Sequence, residues 1–191
     1  MPMLRSPVRQ NPGLLSNFMP ASSPVIRSAT LDDHESIAHL LYRSHTISFA
    51  SYAADEWVNS RRLDEYRVRW HDILSNSTPA DTTIVALLDG AVVGSVHASP
   101  VESPEYDAQL IGMHVEPHIT GSGIGGLLMR SALEFISEQG FERVELGAIA
   151  ANSDARRFYE AYGWALVRTR SPKGFKACQW PCTSFRKDLE P

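Results

Sequence analysis

A run of closely spaced glycines stands between a strand-like segment and an amphipathic helical segment. Residues 115–126 read Val-Glu-Pro-His-Ile-Thr-Gly-Ser-Gly-Ile-Gly-Gly, and residues 127–139 place apolar side chains at helical spacing. Glycine leaves the backbone bare, and the first N–H groups of a helix have no partner within the helix. These N–H groups and the positive end of the helix dipole suit an anion. We therefore expect the segment to bind a phosphate-bearing molecule through its phosphate, and a pyrophosphate in particular.

The same glycines fit one known phosphate-binding pattern and exclude another. Gly121, Gly123 and Gly126 satisfy G-x-G-x-x-G, and Glu145 lies about 20 residues downstream, where a dinucleotide site has its ribose-binding acid. However, residues 117–120 separate the glycines from the strand, and too little chain follows for a doubly wound sheet. A Walker-type loop is excluded because no Lys-Ser or Lys-Thr follows the glycines. A dinucleotide-binding protein is thus the second-ranked interpretation.

The glycine segment must be positioned by a sheet, and the chain has strand and helix patterns in a suitable order. Apolar or alternating runs predict strands at residues 25–28, 82–88, 91–98, 109–115, 144–149, 165–170 and 183–187. Asp89-Gly90, between the second and third strands, is a strong hairpin signal. Helical spacing predicts helices that begin after the N-cap Thr30, cover residues 52–75 with a break near Ser60, and cover residues 123–139 and 153–162.

This order of elements predicts an α/β (α+β) fold. It contains a mixed, mostly antiparallel sheet of about six or seven strands, with helices on both faces. The helix that begins at the glycines is a crossover, which makes the fourth and fifth strands parallel. Gly140 is suited to end that helix, with Phe141 making the accompanying hydrophobic contact.

Composition removes several classes of function. The 191 residues suit one domain, and 43% hydrophobic and 21% charged residues are ordinary for a globular protein. The net charge of -4 supplies no basic excess, so we expect no nucleic-acid partner. No apolar run approaches the roughly 20 residues of a membrane-spanning helix. We therefore expect no membrane association.

The cysteines and the first residues bear on compartment and domain organisation. Cys178 and Cys182 are too few for a disulfide framework, and no second Cys/His pair lies nearby to complete a zinc site. We expect reduced thiols, no metal and a cytoplasmic location. Residues 1–24 contain five prolines and no acidic residue, and they lack the apolar core of a signal peptide. We expect them to form a flexible extension before a single domain at residues 25–191.

Two blocks of sequence resemble the GNAT-type N-acetyltransferases. One block, similar to the acyl-CoA signature of that family, reads Val115-x-Pro117-x-x-Thr120-Gly121-x-Gly123-Ile124-Gly125, followed by Leu127-Leu128. The other, similar to the family's Asn-x-x-Ala-x-x-Phe-Tyr-x-x-x-Gly-Phe pattern, reads Asn152-x-x-Ala155-x-x-Phe158-Tyr159-x-x-x-Gly163-Trp164. Both blocks occur in the family's order and spacing, and the resemblance covers about residues 25–188. It implies that the mixed sheet is GNAT-like.

The resemblance implies acetyl-CoA as the acyl donor. The helix start would hold the pyrophosphate, and the pantetheine arm would lie between the fourth and fifth strands, where one backbone N–H could face the thioester oxygen. The residues implied to contact the donor are Met113, His114, Val115, Thr120, Gly121, Ser122, Gly123, Ile124, Gly125, Gly126, Asn152, Ala155, Phe158 and Tyr159. Thr120 stands where the family usually has Arg or Gln. Because backbone N–H groups carry most of the phosphate binding, we expect this change to weaken binding without abolishing it.

Tyr159 is the candidate general acid. A phenol with a pKa of about 10 can protonate a departing thiolate with a pKa of about 8.5. The alternative is that Tyr159 is only a core aromatic residue, since Ala155, Phe158 and Tyr162 share its helical face. Asn152 has two compatible roles, as a ligand of the CoA arm and as the helix cap.

The general base is not evident from the sequence. Many family members have Glu in an Ala-Glu-Leu pattern on the fourth strand, whereas this chain reads Ala108-Gln109-Leu110. Gln109 occupies the catalytic position but cannot accept a proton. His97 and His114 are candidate substitutes, and Glu102 and Glu105 are weaker ones. A water chain, or an acceptor amine of low pKa, would remove the need for any of them.

The acceptor site is expected at the early helices. Tyr52, Glu56 and Trp57, together with Asp55, put acid beside aromatic rings, which favours a cationic amine. The same residues equally fit an ordinary acidic helix start. Trp180-Pro181 could cover the site from the other side.

The leading hypothesis is an N-acetyltransferase. It would transfer an acetyl group from acetyl-CoA to a primary amine of a small molecule, a peptide or a protein, by direct attack in a ternary complex. A catalytically weak acyl-CoA-binding sensor is the alternative that Gln109 motivates. A nicotinamide-dependent oxidoreductase is less favoured, and a homodimer remains open.

Overall fold

Seven strands form one sheet in the computed structural model, which describes residues 22–170 and 182–190. The strands are β1 (Val25–Ser28), β2 (Thr82–Leu88), β3 (Ala91–Pro100), β4 (Ala108–Val115), β5 (Arg143–Ile149), β6 (Ala165–Arg170) and β7 (Cys182–Asp188). Their order across the sheet is β1-β2-β3-β4-β5-β7-β6. The β4–β5 pair is parallel, and the other neighbouring pairs are antiparallel. The predicted fold class is confirmed.

Helices cover both faces of this sheet. They are α1 (His34–Arg43), α2 (Asp55–Ser60), α3 (Leu63–Ser75), α4 (Ile124–Glu138) and α5 (Ser153–Ala161). Helices α1 and α3 bury one apolar cluster against the sheet at Val85, with Ile37, Leu40 and Trp70 at its centre. Helix α4 packs in the other cluster through Leu128, Met129, Ala132 and Ile136, and α5 joins that cluster through Tyr159. Burial of these side chains, about 25 cal/mol per Å² of apolar surface, holds the helices in place.

Local turn chemistry follows the sequence closely. Asp89 and Gly90 have φ of 50° and 81°, which is the hairpin turn expected between β2 and β3. At the end of α4, the N–H of Gly140 donates to Ser137 O (2.9 Å) and that of Phe141 to Ile136 O (3.2 Å). The helix therefore ends in the predicted hydrogen-bonded glycine motif.

Two helix boundaries differ from expectation, and a third was predicted. Gly123 is the N-cap of α4 and not its first residue, since its φ of 89° lies outside the helical region. The predicted break near Ser60 is confirmed, because extended residues Arg61 and Arg62 divide the second helical region into α2 and α3. A π-helical turn, Ser44–Ser48, directly continues α1 beyond Arg43.

Some sequence predictions fall outside this description. Cys178, Trp180-Pro181 and most of the predicted N-terminal extension lie outside the described residues. Across 22–170 and 182–190, no helix is both long enough and apolar enough to cross a bilayer.

Candidate active site

A bulge in β4 shapes the centre of the site. Ser95 pairs with His114 and His97 with Ile111, so that two residues of β4 lie opposite Val96. One of the two is Gly112, whose φ is 61°. A Cβ there would lie 3.1 Å from the indole ring of Trp70, so the close packing of α3 also requires glycine. The bulge bends β4 away from its regular course.

Beyond the bulge, β4 and β5 separate. Residues Ala108–Leu110 of β4 pair with Val144–Leu146 of β5, and β4 makes no further pairs with β5 after Leu110. The residues of β5 after Leu146 still pair with β7, on the other side of β5. Glu116 donates its N–H to Val93 O on β3 (2.8 Å). Because N–H directions alternate along a strand, those of Val115 and Met113 turn towards the gap. We call this gap, between residues 112–115 of β4 and 147–149 of β5, the cleft.

The glycine-rich start of α4 lies beside the cleft. Gly121 and Gly123 have φ of 83° and 89°, and a Cβ added to either would meet no atom within 4 Å. In contrast, a Cβ at Gly126 would overlap the hydroxyl of Tyr162 on α5. Thr120 directs its hydroxyl to Pro117 O (3.2 Å). The backbone at Gly121 and Gly123 is therefore open in front of a helix N-terminus, a position that suits an anion.

A cavity of about 380 Å³ connects the cleft to helices α1 and α3. Its cleft end is lined by Met113, Val115, Thr120, Gly147, Ala148, Ile149, Asn152, Ala155, Tyr159 and Cys182. Its helical end is lined by Leu41, Ser44, His45, Ser48, Phe49, Tyr66, Arg69 and Trp70. The side chain of His114 belongs to both, since it lines the cavity where the two ends meet.

Tyr159 lines the cleft end from α5. It is only 8% exposed, and its ring packs against Trp164 and Phe185, with ring centroids 6.4 and 5.4 Å away. Within the described parts of the chain, no protein group hydrogen-bonds its hydroxyl. Burial raises the pKa of Tyr159 to about 12. The phenol is thus fully protonated at neutral pH.

Two other residues of the block from Asn152 to Trp164 have structural roles, one at the start of α5 and one against the glycine-rich start of α4. The Oδ1 of Asn152 accepts the N–H of Ala155 (3.0 Å), which is the predicted cap. The ring of Phe158 lies against Gly125, 3.5 Å from where a Cβ would stand. Asn152 and Ala155 line the cavity, and their contact with a donor stays a prediction.

Two histidines form a polar cluster at the helical end. Ser44 Oγ and His114 Nδ1 lie 2.6 Å apart, and His45 Nδ1 lies 2.7 Å from the hydroxyl of Tyr66. The two imidazole rings meet edge to face, with centroids 5.0 Å apart. Burial lowers the pKa of His45 to about 4, with a contribution from nearby arginines, and burial lowers that of His114 to about 3. Both rings are neutral at physiological pH.

The other predicted bases lie away from the cavity. His97 is buried against Trp70 and hydrogen-bonded to the hydroxyl of Thr83 (2.9 Å), and burial lowers its pKa. Gln109 donates its amide to Ser99 Oγ (3.2 Å). Glu105 pairs with Arg168, and Glu102 lines a separate surface cavity. Of the residues predicted as bases, the structure thus brings His114 alone into the cavity.

The predicted acceptor residues are only partly at the site. Trp57 is buried, with its ring 5.8 Å from that of His45. Glu56 and Asp55 are exposed, and neither they nor Tyr52 line the cavity. The residues that do line its helical end, notably His45, Tyr66 and Arg69, were not singled out from the sequence. Their positions depend on how α1 and α3 cross the sheet, which no local pattern reveals.

The comparison with known families decides between the two interpretations of the glycines. Residues 36–164, well over half of the chain, match the model of the Acetyltransferase (GNAT) family. The chain belongs to this family. Its sheet agrees, since the described strands contain one parallel pair, whereas the oxidoreductase alternative requires a doubly wound parallel sheet.

Individual relatives agree with the family assignment. The GNAT chain is 31% identical over 156 residues to the uncharacterized N-acetyltransferase YjgM of Escherichia coli, covering 80% of this chain and 88% of that one. The PaiA N-acetyltransferase of Thermoplasma acidophilum, solved with coenzyme A, superposes with a TM-score of 0.72 at 18% identity over 88% of this chain and 100% of its own. YncA of Salmonella typhimurium, solved with acetyl-CoA, gives 0.67 at 18% identity over 88% and 95%. The protein is an acyltransferase of the N-acetyltransferase type.

Proposed function

We propose that this enzyme transfers the acetyl group of acetyl-CoA to a primary amine of a small molecule, a peptide or a protein by direct attack in a ternary complex. The observation that carries the proposal is the separation of β4 from β5 directly beside the open, glycine-rich start of α4. The family assignment supports acetyl transfer. The proposal includes a cytoplasmic site of action, which the low cysteine content supports.

The donor would bind along the cleft. The N–H groups at Gly121–Gly126 would receive the pyrophosphate, where the helix dipole favours negative charge. The pantetheine arm would run along β4, whose Met113 and Val115 N–H groups face the cleft. One of these N–H groups would hydrogen-bond the thioester oxygen and stabilise the negative charge that develops on it.

The chemical step needs one proton at sulfur and releases one at nitrogen. The amine lone pair attacks the thioester carbon, the C–N bond forms, and the C–S bond breaks with its electrons passing to sulfur. The Tyr159 hydroxyl, which is protonated at neutral pH, donates its proton as charge develops on sulfur. The proton released by the new amide nitrogen then restores the phenol, so that protons balance over the cycle.

The amine would enter as the free base. The cavity is lined by no Asp or Glu among the described residues, and His45 and His114 hold protons weakly. Both rings can nevertheless exchange hydrogen bonds with an uncharged amine. The dependence of kcat/KM on pH should therefore follow the pKa of the acceptor amine.

The test is acetylation of an amine panel with acetyl-CoA, monitored by thiol release and by the mass of each acetylated product. Heat-stability shifts with CoA and with NAD run beside it, because a ligand at about 100 times its Kd adds roughly 2.7 kcal/mol. Turnover with a stabilising shift by CoA alone supports the proposal. CoA binding without turnover on any amine would favour the sensor, and a shift by NAD alone would contradict both.

A further inference from the structure

The helical end of the cavity is cationic. Arg69 is the sole Arg or Lys among the described lining residues, and no Asp or Glu accompanies it. The polar side chains that line this end beside it are uncharged: Ser44, His45, Ser48, Tyr66 and Trp70. Burial lowers the pKa of His45 most, and the positive charges of Arg61 and then Arg69 lower it further.

Among the described residues, Arg69 has no carboxylate partner. Arg67, two residues earlier on α3, binds Glu35 (2.6 Å) and Asp64 (2.7 Å). No ion pair or side-chain hydrogen bond of Arg69 occurs within residues 22–170 and 182–190. An arginine at a cavity wall without a counter-ion has its guanidinium available for an anionic ligand.

A second arginine adds to the positive field. Arg61 lies over the ring of Trp57, 4.4 Å from its centroid, and donates to Trp57 O (3.2 Å). It contributes, like Arg69, to the lowered pKa of His45. A diamine or polyamine would bring a second ammonium group towards these charges, and no carboxylate among the described lining residues would receive it.

We propose that the acceptor is a small amine that also carries a carboxylate, such as an amino acid, and that Arg69 binds the carboxylate. This inference rests on the proposed function and adds the class of its substrate. The amine would lie near His114, next to the cleft, and the carboxylate would lie towards α3. A small acceptor fits because the cavity, at about 380 Å³, must also admit the acyl end of the donor. The bond changes are those of acetyl transfer to nitrogen.

The test compares matched acceptors with the native enzyme and with Arg69→Gln. Each common amino acid is assayed beside its carboxamide and its decarboxylated amine. The native enzyme should prefer the carboxylate form. Arg69→Gln should lower kcat/KM for that form by about 10- to 100-fold, mainly through KM, because a charge-assisted hydrogen-bonded pair is lost. The carboxamide should change by less than about 3-fold, and Arg69→Lys should retain part of the preference.

Arg62→Gln is the control, since Arg62 is exposed and its guanidinium donates to backbone carbonyls outside the cavity. It should leave every acceptor unchanged. A heat-stability shift by the amino acid in the presence of CoA gives a readout without turnover. Preference for the carboxamide or the decarboxylated amine, or an equal effect of Arg69→Gln on all three forms, would overturn the inference and leave acetyl transfer standing. No acetylation of any acceptor would overturn the proposed function, and this inference with it.

Discussion

At the scale of single residues, burial keeps the titratable groups of the cavity uncharged. Tyr159 has a raised pKa, whereas His45 and His114 have lowered ones. Burial disfavours the charged form of each group, because phenolate and imidazolium are poorly solvated away from water. The phenol therefore stays protonated and the imidazoles stay unprotonated. The site therefore offers a proton at the cleft end and hydrogen-bonding nitrogens at the helical end. This division agrees with a reaction in which a neutral amine attacks and a thiolate leaves.

The variant Tyr159→Phe tests the proposed role of Tyr159 as general acid. We expect kcat to fall about 100-fold, since general acid catalysis contributes on the order of 10² or more, while acetyl-CoA affinity changes little. Steady-state kinetics and CoA titration measure the two quantities. Tyr106→Phe is the matched control, because Tyr106 is equally buried but lies outside this cavity. An equal kcat in Tyr159→Phe and the native enzyme would contradict the catalytic role and leave Tyr159 with a packing role only.

His45 should make stability sensitive to acid. Its pKa is about 4 in the folded enzyme and about 6.5 in an unfolded chain, so the unfolded state binds more protons below pH 6.5. The free energy of unfolding should therefore fall as pH drops from 6.5 towards 4. His45→Gln should lose less stability over this range, as urea unfolding at several pH values can measure. The same pH dependence in both proteins would show that His45 does not supply the effect.

Sequence reasoning at this scale worked where a residue belongs to a contiguous block. Asn152 was predicted as the cap of α5, and it is. Arg69 could not be recognised, because α3 contains both Arg67 and Arg69, and only tertiary packing decides which of the two lacks a carboxylate partner. Thr120, the departure from the family pattern, lines the cavity beside open backbone.

At the scale of elements, the start of α4 can be tested with two glycines of the same backbone type. Gly123→Arg puts a side chain into the space assigned to the pyrophosphate, so we expect CoA affinity to fall at least 10-fold. Gly90→Arg carries similar strain, since its φ is 81° and its surroundings are equally open. Both should lose roughly 1–2 kcal/mol of stability. Calorimetric titration with CoA should find a loss of affinity in Gly123→Arg alone; an equal loss in both would point to strain.

A partly buried ion pair joins α1 to the turn before α4. Arg43 Nε lies 3.1 and 3.2 Å from the two carboxylate oxygens of Glu116, whose side chain is 7% exposed. Arg43→Ala leaves that carboxylate buried without its partner and should cost about 1–3 kcal/mol. This is less than a fully buried pair would lose, because the Arg43 side chain is 41% exposed.

Urea unfolding measures this cost. Arg62→Ala provides the comparison, because Arg62 is exposed and donates to backbone carbonyls alone; it should stay within about 0.5 kcal/mol of the native value. If both variants were equally stable, the Arg43–Glu116 contact would contribute nothing to the fold.

Elements with local signals were predictable, and elements defined by pairing were not. Asp89-Gly90 and Gly140 identify the β2–β3 turn and the end of α4, because positive φ restricts residue choice. The bulge at Gly112 has no such signal, since an isolated glycine in a strand pattern also fits a regular strand. The bulge is identified only by the pairing of β4 with β3 and by the contact of Trp70 with Gly112.

At the scale of the whole molecule, two apolar clusters lie on opposite faces of one sheet, and the cavity connects the two sides where β4 and β5 separate. The sequence indicated which helices follow which strands, but not the place of β7 between β5 and β6. Strand order is decided by long-range pairing, to which local propensity contributes little.

The position of β7 has a consequence for biosynthesis. Beyond Leu146, β5 has lost β4 as a neighbour and is held by β7, and β6 is paired with β7 alone among the described strands. β7 is the last of the seven strands to be made. On a translating ribosome, the chain can complete the β1–β4 half of its sheet early. The β5 wall of the cleft can pair with β7 only after residues 182–188 have been made. Acetyl transfer should therefore become available only when those residues have left the exit tunnel, and shortening the chain before Cys182 should unfold that wall.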